Sequence, residues 1–208
     1  MRLYQHPMSA NARAAVMTAF LLDAPVELVF VDLQNQEQTL PPFLRKNPNH
    51  RVPVLEDGDF YLWESRAIMQ YLADKTPGQT LYPTEARARA DVNRWLFWSG
   101  QHFSPAIGLF FFENCIKGMI GRGAPDPVEL KRGDSLFKEF AGVLDAHLAG
   151  RQWISGAELT LADISIAASY ACAAPGKAPV APFTNLQAWL GRVQALEVWR
   201  RTELPRAA

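Results

Sequence analysis

Three short stretches near the start of the chain carry residue types that could bind a small polar molecule. Ser9 falls in a loop between a strand candidate, Arg2 to Gln5, and a helix pattern, Ala12 to Leu22, with Asn11 close behind it. The first N–H groups of a helix have no intrahelical acceptor and the helix dipole favours negative charge there, so a hydroxyl at this point adds a donor to an anion site. The alternative is a plain helix cap. Val52-Pro53 opens a strand candidate. Proline has no N–H, and with a cis bond the dipeptide leaves the Val52 N–H and C=O turned outward for an extended ligand backbone, whereas a trans proline is the ordinary arrangement at a strand end. Glu64-Ser65-Arg66 stands where the last strand of this region meets a helix. A carboxylate can take an ammonium while helix-terminal N–H groups take a carboxylate, which together grip an amino-acid head group; the simpler reading is an N-cap beside a solvated charge. All three stretches fall at one end of the same small domain.

Other chemistries are poorly served. No G-x-S-x-G elbow surrounds Ser9, and His6 three residues before it has no acid partner in the sequence, which argues against a hydrolase. His6, His50, His102 and His147 have no metal-ligand spacing, so no metal is expected. The two cysteines, Cys115 and Cys172, both lie outside the first 76 residues; they are read as packed helix residues, and a redox cysteine in the N-terminal part is excluded. Lys plus Arg equals Asp plus Glu at 21 each, so nothing draws the chain to nucleic acid or to an anionic membrane. The N-terminus lacks the signal-peptide pattern and no apolar run approaches the ~18–20 residues of a membrane span, which points to the cytoplasm.

The elements that must position these residues follow from periodicity. Arg2 to Gln5, Ala12 to Leu22 and Val26 to Leu33 read as a βαβ unit, which implies two parallel strands. A short helix around Phe43 to Lys46 ends at Asn47-Pro48; Val52 to Leu55 and Phe60 to Trp63 are strands joined by a turn at Glu56-Asp57-Gly58-Asp59, and Ser65 to Lys75 is a helix. This order is the thioredoxin-type arrangement. Thr76 to Pro83, with two prolines and a glycine, is a linker, so residues 1–76 form an α/β domain and residues 85–208 an all-helical one. In the second, Glu85 to Lys117 is one long helical pattern bent near Ser104-Pro105, and Pro127 to Leu148 is another helix. Thr160 and Asp163 have the spacing of a capping box and start a buried helix.

Read together, these segments resemble the glutathione S-transferase family, in particular its serine-type classes. Leu3 to Arg13 is similar to the first strand and catalytic loop, Val31-Asp32-Leu33, Phe43-Leu44 and Asn47-Pro48 to the next landmarks, and Arg51 to Gly58 and Glu64 to Ile68 to the most specific motifs, while Thr160 to Asp163 matches the C-terminal capping box. The resemblance spans essentially the whole chain. It implies a thioredoxin-like glutathione-binding domain followed by an all-helical domain, in a homodimer. It implies that Ser9 donates to the glutathione sulfur with Asn11 as substitute donor, that Val52 beside Pro53 pairs with the cysteinyl unit, and that Glu64 and Ser65, with Arg66, hold the γ-glutamyl head. Gln38 and Thr39 fall where relatives carry contacts to the glycyl carboxylate, without the cation often found there, and Arg51 replaces a glutamine or lysine.

The implied activity is conjugation of glutathione to a small apolar electrophile held near Met8 and the long helix, with Phe103, Phe110, Phe111 and Phe112 as lining candidates or core. Glutathione is the co-substrate. The alternatives are a glutathione-dependent peroxidase or disulfide reductase, and a non-catalytic binding or scaffold protein of the stringent-starvation or translation-factor type.

Overall fold

The computed structural model describes residues 1–203, which divide into two compact units: Met1–Tyr82 together with the segment beginning at Leu196, and Pro83–Ala195. In the first unit, β1 (Arg2–Gln5) runs parallel to β2 (Glu27–Phe30) and antiparallel to β3 (Val54–Asp57), which pairs antiparallel with β4 (Phe60–Trp63), giving the order β2-β1-β3-β4. The parallel pair requires a crossover, supplied by α1 (Ala10–Leu21), whereas β3 and β4 need only the Gly58-Asp59 turn, where Gly58 takes φ 66° without a Cβ penalty. α2 (Pro41–Leu44) and α3 (Ser65–Asp74) complete this thioredoxin-like arrangement.

Strand alternation divides the side chains between two faces. Leu3 is fully buried, as are Ile68, Met69 and Leu72 of α3, which packs against the alanine-rich α1. Tyr4 instead joins a cluster of Ala12, Val31, Phe43, Val52 and Val54, meeting Phe43 edge to face at 6.3 Å. Lys46 anchors the chain after α2: its Nζ lies 4.8 and 4.5 Å from the Tyr4 and Tyr61 ring centroids and 3.0 Å from Glu56, which also accepts from the Tyr4 hydroxyl at 2.6 Å. Burial, the largest single influence on Lys46, opposes its charge, but hydrogen bonds to Glu56, Tyr4 and Tyr61 outweigh it and raise the ammonium above its ordinary range.

Several boundaries differ from those predicted. α1 starts two residues early, at Ala10, because Ser9 caps it. β2 stops at Phe30 rather than Leu33, since the Asp32 carboxylate accepts from the Gln34 and Asn35 N–H groups and turns the chain. The short helix occupies Pro41–Leu44, its two prolines filling first-turn positions that need no donor. β3 begins at Val54, beyond the proline that cannot donate to a ladder.

The last helix, α10 (Glu197–Arg201), predicted as part of a domain over residues 85–208, instead packs on α1 in the first unit. The Arg13 guanidinium stacks 3.9 Å from the Trp199 ring centroid and donates to the Trp199 carbonyl at 3.1 Å and to the Thr202 hydroxyl at 3.2 Å.

The second unit is helical: α4 (Ala86–Trp98), α5 (Ser104–Phe111), α6 (Lys117–Met119), α7 (Pro127–Leu148), α8 (Leu161–Tyr170) and α9 (Thr184–Gln194). π turns at Ser99–Phe103 and Phe112–Ile116 interrupt the predicted long helix; the first leads into Ser104 and Pro105, where the ladder lacks a donor. Phe103 stacks on Phe137 and Tyr170, both 6.0 Å away, at the centre of the core. Every residue of α8 is buried behind the Thr160–Asp163 capping box. Cys115 and Cys172, predicted to be packed, are of intermediate exposure: Cys115, in the Phe112–Ile116 turn, donates to the Pro175 carbonyl at 3.2 Å, and Cys172 follows the end of α8. Among the described residues, no helix is long and apolar enough to cross a membrane.

Candidate functional site

The turn that carries Ser9 is built on His6. The His6 carbonyl accepts from the Ser9 N–H at 2.9 Å and its ring Nδ1 accepts from the Met8 N–H at 3.2 Å. Ser9 itself is extended, with φ −90° and ψ 112°, and its Oγ accepts from the Ala12 N–H at 3.2 Å. The oxygen is thus engaged by the helix while the hydroxyl proton can still be donated outward.

The segment after α2 is braced from inside by Asn47, which is only 2% exposed. Its Nδ2 donates to the Arg51 carbonyl at 2.8 Å, and its Oδ1 accepts from both the backbone and side-chain nitrogens of Asn49 at 3.0 Å. Val52-Pro53 follows as a cis peptide, and among the described residues neither the N–H nor the C=O of Val52 has a hydrogen-bond partner. Such groups are available to an extended ligand.

Glu64 precedes α3 with φ 72° and ψ 110°, a conformation that costs a non-glycine residue on the order of 1–3 kcal/mol and is concentrated at ligand sites. Its side chain makes no cap hydrogen bond, so the carboxylate is left for another partner. Ser65 opens α3 with its hydroxyl 3.5 Å from the Asn11 Oδ1, at the outer limit of a hydrogen bond. The N–H groups of Ser65, Arg66 and Ala67 precede the first intrahelical bond, from Ile68 to Glu64.

These pieces enclose a cavity of about 210 Å³ lined by Asn11, Asn47, Asn49, Arg51, Val52, Pro53, Glu64 and Ser65. Six of them, Asn11, Arg51, Val52, Pro53, Glu64 and Ser65, were named from sequence. Asn47 and Asn49 were not assigned a site role, although an asparagine directly after a short helix and before proline is a recognisable turn-bracing signal.

The remaining candidates lie off this lining. Ser9 is two residues before Asn11. Arg66 is half-buried, and burial lowers its guanidinium from the ordinary range against the opposing pull of Glu64. Gln38 and Thr39 occupy a 3-10 turn, Glu37–Thr39, in which the Thr39 hydroxyl donates to the Gln36 carbonyl at 2.7 Å. The Gln38 Oε1 is buried without a hydrogen-bond partner.

The cavity therefore offers one cation, Arg51, one anion, Glu64, the unpaired main chain of Val52 and helix-terminal N–H groups. A short zwitterionic peptide in extended form has the complementary charges and backbone. Of the aromatic candidates, Phe103 and Phe110 are core residues, while Phe111 and Phe112 are half-buried. Among the described residues, no group of His, Cys, Asp and Glu side chains is arranged to hold a metal ion.

Residues 1–74 match the model of the glutathione S-transferase N-terminal domain and residues 125–197 that of the C-terminal domain. The chain is 34% identical to glutathione S-transferase 3 of Zea mays, over 97% of this chain and 92% of that protein, and 33% identical to glutathione S-transferase D7 of Drosophila melanogaster, over 90% and 81%. A solved structure of glutathione S-transferase I bound with lactoylglutathione superimposes with a TM-score of 0.86 at 26% identity, covering 97% of both chains.

Proposed function

The chain belongs to the glutathione S-transferase family, and from that premise we propose that it binds glutathione in the cavity beside Pro53, stabilises the thiolate through the Ser9 hydroxyl and transfers it to an apolar electrophile. The observation that carries this reading is the unpaired Val52 main chain in a cavity that Arg51 and Glu64 also line. Glutathione has an ammonium and carboxylate at its γ-glutamyl end, a peptide N–H and C=O at its cysteine, and a carboxylate at its glycine. Glu64 and the first N–H groups of α3 suit the γ-glutamyl head, Val52 the cysteinyl backbone, and Arg51, with Asn49 beside it, the glycyl carboxylate. Gln38 and Thr39, on the turn ahead of α2, are further candidates for the glycyl carboxylate.

A cysteine thiol of ordinary pKa near 8.5 is only a few per cent ionised at pH 7, so the enzyme's first task is to favour the anion before the electrophile arrives. A hydrogen bond to a charged group contributes about 1.5–3 kcal/mol, or roughly one to two pKa units. Ser9 suits this role because its oxygen is already engaged by Ala12, which polarises the O–H toward the sulfur. The rest of the acceleration comes from orienting the electrophile against that sulfur.

The direct experiment is an ultraviolet thiolate titration of bound glutathione in the parent and in Ser9→Ala. A rise of at least about one unit in the thiol's pKa is expected; an unchanged titration refutes the role of Ser9. Saturable heat on titrating glutathione tests the binding, and turnover of an aryl halide against peroxides and mixed disulfides tests the electrophile class. A homodimer is part of the same reading, supported by Phe60 and Trp63 of β4 remaining 46% and 40% exposed, and is checked by light scattering.

A further inference from the structure

We propose that His6 is a positioning residue for Ser9, its ring Nδ1 holding the 6–9 turn in the shape that presents the Ser9 hydroxyl to the glutathione sulfur. The inference rests on the Ser9 reading above. Pro7 has no N–H, so beyond His6 the turn contains only two backbone donors, and both are accepted by His6: that of Met8 by Nδ1 at 3.2 Å and that of Ser9 by the carbonyl at 2.9 Å. One residue therefore fixes the path of the chain into the cap of α1.

The first of these bonds dictates the state of the ring. An Nδ1 that accepts an N–H carries no proton, so the ring must be the neutral tautomer protonated at Nε2; an imidazolium would aim a second N–H at the Met8 N–H. The surroundings favour that state. His6 is 8% exposed and its ring lies 5.3 Å from that of Phe30. Burial lowers its pKa, and the facing charged group, Asp32 on the segment after β2, opposes this only in part. The ring bonds the turn rather than the reacting atoms, so it acts through Ser9.

The test uses His6→Leu, which keeps apolar volume without the acceptor, and His6→Asn, whose Oδ1 can occupy the place of Nδ1 and accept the Met8 N–H as in an Asx-turn. Each is made alone and with Ser9→Ala. For His6→Leu, kcat with a model electrophile should fall about tenfold and the bound thiol's pKa should rise, with the KM for glutathione little changed. His6→Asn should recover most of the loss, and His6→Leu should add nothing once Ser9 is alanine.

A parent-like thiol pKa in His6→Leu, equal impairment in the leucine and asparagine variants, or full additivity with Ser9→Ala overturns the proposal. Nitrogen-15 spectra of the parent read the turn separately: a bare Nδ1 at neutral pH supports it and a protonated Nδ1 overturns it, whether or not the leucine variant folds. Should Ser9→Ala leave the thiol's pKa unchanged, the Ser9 reading fails by itself; the nitrogen spectra then still report whether His6 holds the turn.

Discussion

The hydroxyl oxygen of Ser9 lies 3.2 Å from the amide nitrogen of Ala12 and accepts its hydrogen. One atom thus caps α1 while, in the proposed reaction, its proton is offered to the sulfur, and substitutions can separate the two tasks. Ser9→Ala should lose about 1 kcal/mol of stability together with thiol activation. Ser9→Asp keeps a good capping side chain but sets a carboxylate beside the thiolate, so it should melt close to the parent while raising the thiol's pKa beyond the alanine variant. Thermal melts and thiolate titrations check the pair. An aspartate variant as active as the parent would show that the hydroxyl proton does not matter.

Glu64 combines a positive φ with a side chain that takes no part in capping α3. If its carboxylate takes the γ-glutamyl ammonium, that contact exists equally in the bound ground state and in the transition state, far from the sulfur. Glu64→Gln should therefore raise the KM for glutathione by about tenfold or more with kcat nearly constant, since a charged hydrogen bond contributes about 1.5–3 kcal/mol. A glutathione analogue lacking the amino group should be insensitive to the same change. Steady-state kinetics with both thiols decides it.

The parts of this molecule that could be read from the sequence are those specified by near neighbours. Ser9 before an alanine-rich helix, Gly58 between two strands and Thr160 three residues before Asp163 each fix their geometry over a few residues, and the elements they delimit stand close to where periodicity set them. What escaped depends on distant partners. Arg13 meets Trp199 across 186 residues, and no local pattern signals that α10 returns to the first unit. Asn47 gains its bracing role only when the chain turns back to bring the Arg51 carbonyl to it. The dipeptide Val52-Pro53 was compatible with both isomers, and Gln38 and Thr39 were placed by resemblance, which says nothing of the turn that carries them off the cavity lining. In the long helix, the π turns each take an extra residue, which no local residue pattern announces.

Asp163 is completely buried and accepts from the Ile154 N–H at 2.9 Å, the Thr160 N–H at 3.0 Å and the Trp189 indole N–H at 2.8 Å. Burial pushes its carboxyl up, and these donors pull against that shift. Asp163→Ala orphans several buried donors at once, so a loss of at least about 3 kcal/mol is expected, well beyond a simple cap. Asp163→Asn retains one acceptor oxygen and should lose less. Urea unfolding followed by tryptophan fluorescence measures both, and a near-neutral alanine variant would mean that the donors find other partners.

The pH dependence of stability should include two separable losses on acidification, one from His6 and one from Glu56. His6 has a folded pKa below its ordinary 6.5, with burial the cause, so the unfolded chain takes up this proton first. Its contribution is complete above pH 6.5, falls as the pH drops from there to the folded value, and is constant below it. Glu56 is held below its ordinary 4.5 by the Tyr4 hydroxyl and then by Lys46, so its contribution is complete above pH 4.5 and is lost as the pH falls through its folded value. His6→Asn should flatten the first window and leave the second. Lys46→Met should weaken the second and leave the first, because Lys46 meets Glu56, Tyr4 and Tyr61 and not the 6–9 turn. Unfolding midpoints in urea across the acidic range test the separation, and a single window abolished by either substitution would show that the two groups are linked.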